Sequence, residues 1–160
     1  MIVIVMGVAG AGKTTIGRLL ADALGWQFED ADSYHSPENV QKMAAGIPLT
    51  DADRAPWLES LRSIVQSWVS NNQSGVLACS ALKQSYRERL QVSPRVRIVY
   101  LRGPIELIRE RMNLRAGHYM KPELLQSQFD TLEEPADAVV ADASGTPAEI
   151  VRQIRARLNI

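Results

Sequence analysis

The sequence predicts an α/β fold, a parallel five-stranded sheet flanked by helices. Three observations predict it. Short apolar runs alternate with helically periodic segments along the whole chain, as they do when each helix crosses between parallel strands. The opening run, Ile2-Val3-Ile4-Val5-Met6, is apolar throughout, as a strand covered on both faces requires. It leads directly into Gly7-Val8-Ala9-Gly10-Ala11-Gly12-Lys13-Thr14, which fits G-x-x-x-x-G-K-[ST] at every fixed position and precedes a helical segment.

That strand–loop–helix context makes residues 7–14 a phosphate-binding loop and the fold that of a P-loop NTPase. Gly7, Gly10 and Gly12 let the backbone curl so that the N–H groups of Val8, Ala9, Ala11 and their neighbours point at phosphate oxygens. The following helix adds partial positive charge at its start. Lys13 can reach the β- and γ-phosphates, and Thr14 can offer its hydroxyl to Mg²⁺. Residues 7–14 with Thr15 are the expected nucleotide site, and ATP and Mg²⁺ the expected ligands. At 160 residues one domain, spanning 1–160, is expected. Lys and Arg (18) balance Asp and Glu (18), which argues against a nucleic-acid or anionic-membrane partner. The single cysteine, Cys79, allows no internal disulfide. No apolar stretch reaches membrane-spanning length, and the N-terminus enters a strand without a basic leader, so a cytoplasmic protein is expected.

The remaining elements follow in order. Ile16, Leu19, Leu20, Ala23 and Leu24 keep helical spacing, and Gly25 stops that helix. Trp26-Gln27-Phe28-Glu29 reads as a second strand running into Asp30-Ala31-Asp32. Ligands of open α/β sheets sit at the carboxyl ends of strands, so either Asp can support Mg²⁺ or accept a hydroxyl proton. Ser36 and Pro37 start a short helix carrying Val40 and Met43, and Gly46 ends it. His35, just before it, either bonds to backbone or touches substrate. Residues 46–58 read as a polar loop between helices. Arg54 there either binds a carboxylate bidentately or pairs with a neighbouring Asp, with Thr50 and Asp53 forming a capping box.

From Trp57 the pattern is helical, with Trp57, Leu61, Ile64, Val65 and Trp68 on one face. Residues 33–72 form the helical insertion expected to bind the acceptor. Val76-Leu77-Ala78-Cys79 is a buried strand ending at Ser80, a candidate for the Mg²⁺ shell. Lys83 and Arg87 lie four apart on the next helix, solvated or facing an anion. Residues 95–101 form a fourth strand, and Gly103-Pro104 opens a helix carrying Ile105, Ile108 and Met112. Arg111 and Arg115, four apart, precede a Gly-containing basic loop with His118. Residues 112–122 read as a lid that excludes water and brings guanidinium charge to the γ-phosphate. A helix over 122–132 places Leu125, Gln128, Phe129 and Leu132 on one face. Residues 138–141 form the last strand, and Thr146-Pro147-Ala148-Glu149 caps the final helix.

The chain resembles the gluconokinases of the small P-loop type. The resemblance rests on residues 7–14, Asp30-Ala31-Asp32-Ser33-Tyr34-His35, Asn39, Lys42-Met43, Gly46-Ile47-Pro48-Leu49, Asp51-Ala52-Asp53-Arg54 and Pro56-Trp57-Leu58. It continues through Ala78-Cys79-Ser80-Ala81-Leu82-Lys83, Tyr86-Arg87, Tyr100-Leu101, Arg115-Ala116-Gly117-His118-Tyr119, Ser127-Gln128-Phe129 and Leu132-Glu133-Glu134-Pro135. Ala31 stands where Gly is common, and Tyr119 where Phe is frequent. The resemblance implies ATP-dependent phosphorylation of D-gluconate at its 6-hydroxyl, a fold like those of shikimate and nucleoside monophosphate kinases, and a homodimer. For such a substrate, Asp32 is the expected base. Thr14, Asp30 and Ser80 hold Mg²⁺, and Lys13, Arg111 and Arg115 balance phosphoryl charge. Arg54, Lys83 and Arg87 are the candidates for the acceptor carboxylate, with His35, Asn39, His118 and Gln128 for its hydroxyls. Another small-molecule kinase, a nucleotide kinase and a non-catalytic nucleotide sensor are the alternatives.

Overall fold

A computed structural model describes residues 1–114 and 122–160. Strands β1 (Ile2–Met6), β2 (Gln27–Asp30), β3 (Gly75–Ala78), β4 (Val96–Arg102) and β5 (Val139–Asp142) form one sheet in the order β2-β3-β1-β4-β5. Every pairing is parallel. The helices are α1 (Lys13–Leu24), α2 (Pro37–Ala44), α3 (Asp51–Ser70), α4 (Gln84–Leu90), α5 (Ile105–Leu114), α6 (Pro122–Thr131) and α7 (Pro147–Leu158). β1 lies mid-sheet between β3 and β4, so its carboxyl end opens where the strand order reverses, the usual ligand crevice of such sheets.

The apolar run of β1 is 0% exposed and serves two cores at once. Side chains alternate across a strand. Val3 and Val5 join Ile16, Leu20, Ile150 and Ile154 of α1 and α7 on one face. Ile2, Ile4 and Met6 join Trp57, Leu61, Val65 and Trp68 of α3 on the other. The insertion therefore carries a core helix as well as a wall of the crevice.

Helix ends follow the sequence signals closely. Gly25 caps α1 in the left-handed region, and Ser36 accepts the Asn39 N–H at the start of α2. Thr146 and Glu149 form the expected capping box of α7. Three expectations need correction. Residues 51–56 are not loop: Thr50 and Asp53 form a reciprocal capping box and α3 starts at Asp51, with Pro56 inside its N-terminal part. Leu19 is 42% exposed, because α1 buries only the strip of Ile16, Gly17, Leu20 and Ala21. In α2 the buried residue is Asn39, while Val40 faces outward.

Candidate active site

The phosphate side is built from backbone. Between β1 and α1 the chain turns through Gly10 (φ 80°) and Gly12 (φ 99°), conformations that strain any side-chain-bearing residue. A Cβ on Gly10 would also stand 2.8 Å from Met112 Cγ of α5. Val8 and Ala11 are buried and pin the loop from below. Lys13 Nζ donates to the Val8 carbonyl at 2.8 Å, so the ammonium lies back across the loop. The Ala9 N–H donates to Gln128 Oε1 at 2.6 Å, tying the loop to α6.

Asp30 links this loop to the next strand end. Its Oδ2 accepts the Thr14 hydroxyl at 2.6 Å and its Oδ1 accepts the Asp32 N–H at 2.9 Å. The second bond caps a single 3₁₀ turn over Ala31–Tyr34 and sets Asp32 on the cavity wall. Thr14, Asp30 and Ser80 are oxygen donors only, the donor chemistry of a hard divalent cation that takes its other ligands from phosphate and water. Cys79, beside Ser80, is a packing residue: burial pushes its thiol up to about 12.

The acceptor side is built from side chains of distant segments. A cavity of about 380 Å³ runs from Ala9, Gly10, Gly12, Lys13, Thr14 and Thr15 to Asp32, His35 and Arg54, and Ser80 and Gln128 also line it. The His35 ring stacks on Trp57 with centroids 4.4 Å apart and planes 10° off parallel. Trp57 is itself held by its indole N–H, which donates to the Ala31 carbonyl at 2.7 Å. Asn39 Nδ2 donates to the Asp53 carbonyl at 2.9 Å and lies 3.4 Å from His35 Nδ1, which suits the tautomer with its proton on Nε2. Burial is the main influence holding His35 below its usual 6.5; Arg54 adds to it and Asp32 opposes it. At neutral pH the ring therefore presents a neutral N–H.

Arg54 projects into the cavity from α3. Its Nη1 donates to Tyr86 Oη at 3.2 Å, and its guanidinium carbon lies 5.7 Å from that ring's centroid. Tyr86 in turn donates to Asp51 Oδ1. Lys83 Nζ bonds both Asp51 oxygens at 2.9 and 3.1 Å, and Lys42 bonds both Asp53 oxygens at the same distances. The Thr50 N–H and Lys42 hold the Asp53 carboxyl down at about 2.

Several expected site residues stand elsewhere. Arg87 is 2% exposed and donates to the carbonyls of Ala81, Leu82 and Glu133, so it ties strand end to helix end and does not face the cavity. Lys83 is the N-cap residue of α4, paired with Asp51 outside the cavity lining. Asn39 is 5% exposed and supports His35 from behind. Arg111 sits in the last turn of α5 and does not line the cavity; the Asp142 carboxyl is held low mainly by the Ser144 hydroxyl and N–H, with a smaller contribution from the Arg111 charge. Arg115, His118 and most of the expected lid lie outside the described residues.

Met43, Pro48, Leu49, Leu82 and Leu124 complete an apolar wall, and Ser127 and Thr131 add hydroxyls. Sequence reasoning missed these and the Asp51–Tyr86 pair. The spacing of Ser127 and Thr131 about Gln128, on one face of α6, was the available signal.

Comparison with known proteins places this geometry. Residues 9–159 match the family model described as shikimate kinase. The chain is 50% identical over 154 aligned positions to a probable gluconokinase of Rattus norvegicus, covering 84% of this chain and 83% of that protein. It is 44% identical over 157 positions to the thermosensitive gluconokinase of Escherichia coli (strain K12), covering 95% and 84%. The crystal structure of a gluconokinase from Sinorhizobium meliloti 1021 superimposes with a TM-score of 0.88 at 42% identity, covering 98% of this chain and 90% of that one.

Proposed function

The chain belongs to the gluconokinase family, within the wider shikimate kinase family, and from that premise we propose that it transfers the γ-phosphoryl group of ATP to the 6-hydroxyl of D-gluconate. It is an ATP-dependent kinase with an alcohol acceptor. One observation carries the acceptor reading: Lys13, Thr14, Asp32, His35 and Arg54 line a single cavity. A carboxylate at one end and a primary hydroxyl at the other match a cavity lined by a cation, Arg54, and by a carboxylate, Asp32, together with the phosphate loop.

Phosphoryl transfer asks mainly for positioning and charge. The loop N–H groups and Lys13 hold the β- and γ-phosphates, Lys13 with the ammonium donors that its bond to the Val8 carbonyl does not use. Asp32 accepts the proton of the reacting hydroxyl as the hydroxyl oxygen attacks the γ-phosphorus, whose bond to the bridging oxygen breaks so that ADP leaves. Mg²⁺, when bound, neutralises charge on the β- and γ-phosphates, and Thr14, Asp30 and Ser80 are the residues that would hold it. Arg54 takes the carboxylate. His35 donates from Nε2 to a polyol hydroxyl, and Gln128, its oxygen occupied by the Ala9 N–H, donates from its amide nitrogen. Arg111, Arg115 and His118 are proposed to act with the lid over 112–122. A homodimer is proposed from the resemblance and a cytoplasmic location from the sequence features at the N-terminus, and a monomer mass by light scattering would reject the dimer. No described helix is long and apolar enough to cross a membrane.

The test is ADP release with Mg²⁺-ATP against D-gluconate, other aldonates, shikimate, AMP and no acceptor. Strong stimulation by D-gluconate supports the reading. Preference for another acceptor keeps the phosphate chemistry and overturns the assignment of the insertion. ATP binding without transfer to any acceptor points to a sensor.

A further inference from the structure

Tyr86 stands outside the cavity lining, yet it touches the charged groups around Arg54. Its ring is 5% exposed and packs in the same core as Trp57, Leu58 and Leu61, so the phenol is held by the fold. Its tip makes the hydrogen bonds. There the hydroxyl gives its proton to Asp51 and accepts one from Arg54 Nη1. Lys83 Nζ and the Arg54 guanidinium carbon each lie 5.7 Å from the ring centroid.

The order of protons matters. Asp51 starts α3 and Arg54 lies three residues on, close enough in a helix for a direct ion pair. Among the described residues no such pair forms; Asp51 is balanced by Lys83, and Tyr86 stands between Asp51 and Arg54. A direct ion pair would draw the guanidinium out of the cavity and occupy the face that a ligand carboxylate needs. A phenol oxygen engages one N–H and leaves the others. The side chain is also ordered before the acceptor arrives, so binding does not have to immobilise it.

We propose that Tyr86 is a positioning residue for acceptor recognition: bridging Asp51 and Arg54, it aims the guanidinium at the acceptor's carboxylate. The inference rests on the assignment of that carboxylate to Arg54. Burial and the Asp51 hydrogen bond raise the Tyr86 hydroxyl above its ordinary value, which keeps it a neutral donor at working pH.

Steady-state kinetics on the full chain test it. Tyr86→Phe keeps the ring and removes the bridge. The KM for D-gluconate rises about tenfold, while kcat and the KM for ATP stay within about twofold, as loss of a hydrogen bond to a charged group predicts. In an Arg54→Ala background the same substitution has no further effect on that KM. Asp51→Asn, at an exposed site, raises the KM in the same direction and serves if Tyr86→Phe folds poorly. An unchanged KM in Tyr86→Phe, or in Asp51→Asn where that stand-in is used, overturns the inference. So does an equal rise in the Arg54→Ala background, or a parallel loss in kcat and both KM values, which marks a structural role. Absence of D-gluconate turnover by the unsubstituted chain overturns the acceptor reading and this inference with it. Turnover with an unmoved KM overturns the inference alone.

Discussion

The phosphate side of the cleft is eight consecutive residues, Gly7 to Thr14, whereas the acceptor side draws Asp32, His35, Arg54, Trp57 and Gln128 from three separate segments. The first presents main-chain N–H groups, whose direction follows from two left-handed glycines and a helix start. The second presents side chains, three of them aimed by a partner far along the chain: Trp57 by Ala31, Arg54 by Tyr86, Gln128 by Ala9. A site made of backbone is encoded where it stands. A site made of side chains is encoded jointly by the groups that hold them, so the two sides should respond differently to substitution.

The largest effects should come from the groups at the transferring phosphoryl. Lys13→Met should lower kcat roughly 10²–10³-fold with every acceptor, as removal of a transition-state donor does. Asp32→Asn should lower it about 10²–10⁴-fold, the usual worth of a positioned base. ATP binding measured by calorimetry separates them, weakened in the first and kept in the second. Near-normal turnover in Asp32→Asn would remove the base role.

On the acceptor side the loss should fall on KM. Arg54→Ala should raise the KM for D-gluconate roughly 10–100-fold, from a charged hydrogen bond worth about 1.5–3 kcal/mol. The KM for ATP should stay put, and a change in both would break the contrast between the two sides.

A smaller effect tests the supports. Trp57→Phe keeps a ring beneath His35 but leaves the buried Ala31 carbonyl without its donor. The cost should be about 1–3 kcal/mol. In a thermal melt that is about 2–4 °C of Tm for each kcal/mol at this chain length. The acceptor KM should rise with it, since Ala31 directly precedes Asp32.

The smallest effect concerns pH. His35 titrates lower in the folded chain than its usual 6.5, so the unfolded chain takes up the proton first. Its share of stability is present above about pH 6.5 and is lost as pH falls through the folded value. Between pH 7 and 5 the melting temperature should therefore fall more in the unsubstituted chain than in His35→Gln. Equal falls would mean that burial of His35 carries no penalty for its charge.

Much of the fold was legible in order of chain. The strand count, the parallel sheet, the Gly25 stop, the Ser36 cap and the Thr146 capping box all stand as read, because each signal lies within a few residues of its effect. The start of α3 reads as loop because Asp51, Asp53, Arg54 and Pro56 look polar and broken, yet the Thr50–Asp53 capping box starts a helix there and Pro56 is accommodated within it. Leu19 misled because helical spacing marks an apolar stripe without saying how wide a strip the sheet will cover.

Among the cations, the sequence could not separate Arg54 from Lys83 and Arg87. All three carry charge at plausible spacings. Only packing put Arg87 under three carbonyls, paired Lys83 with Asp51, and left Arg54 bridged by Tyr86 on the cavity wall. The sequence by itself determined the phosphate loop, because curled backbone and helix start arise from local residue types and reach no further than a turn. The tertiary structure decided which charged side chains face the acceptor, because a long cation goes wherever its nearest acceptors are, and those come from strands and helices that meet only when the chain has folded.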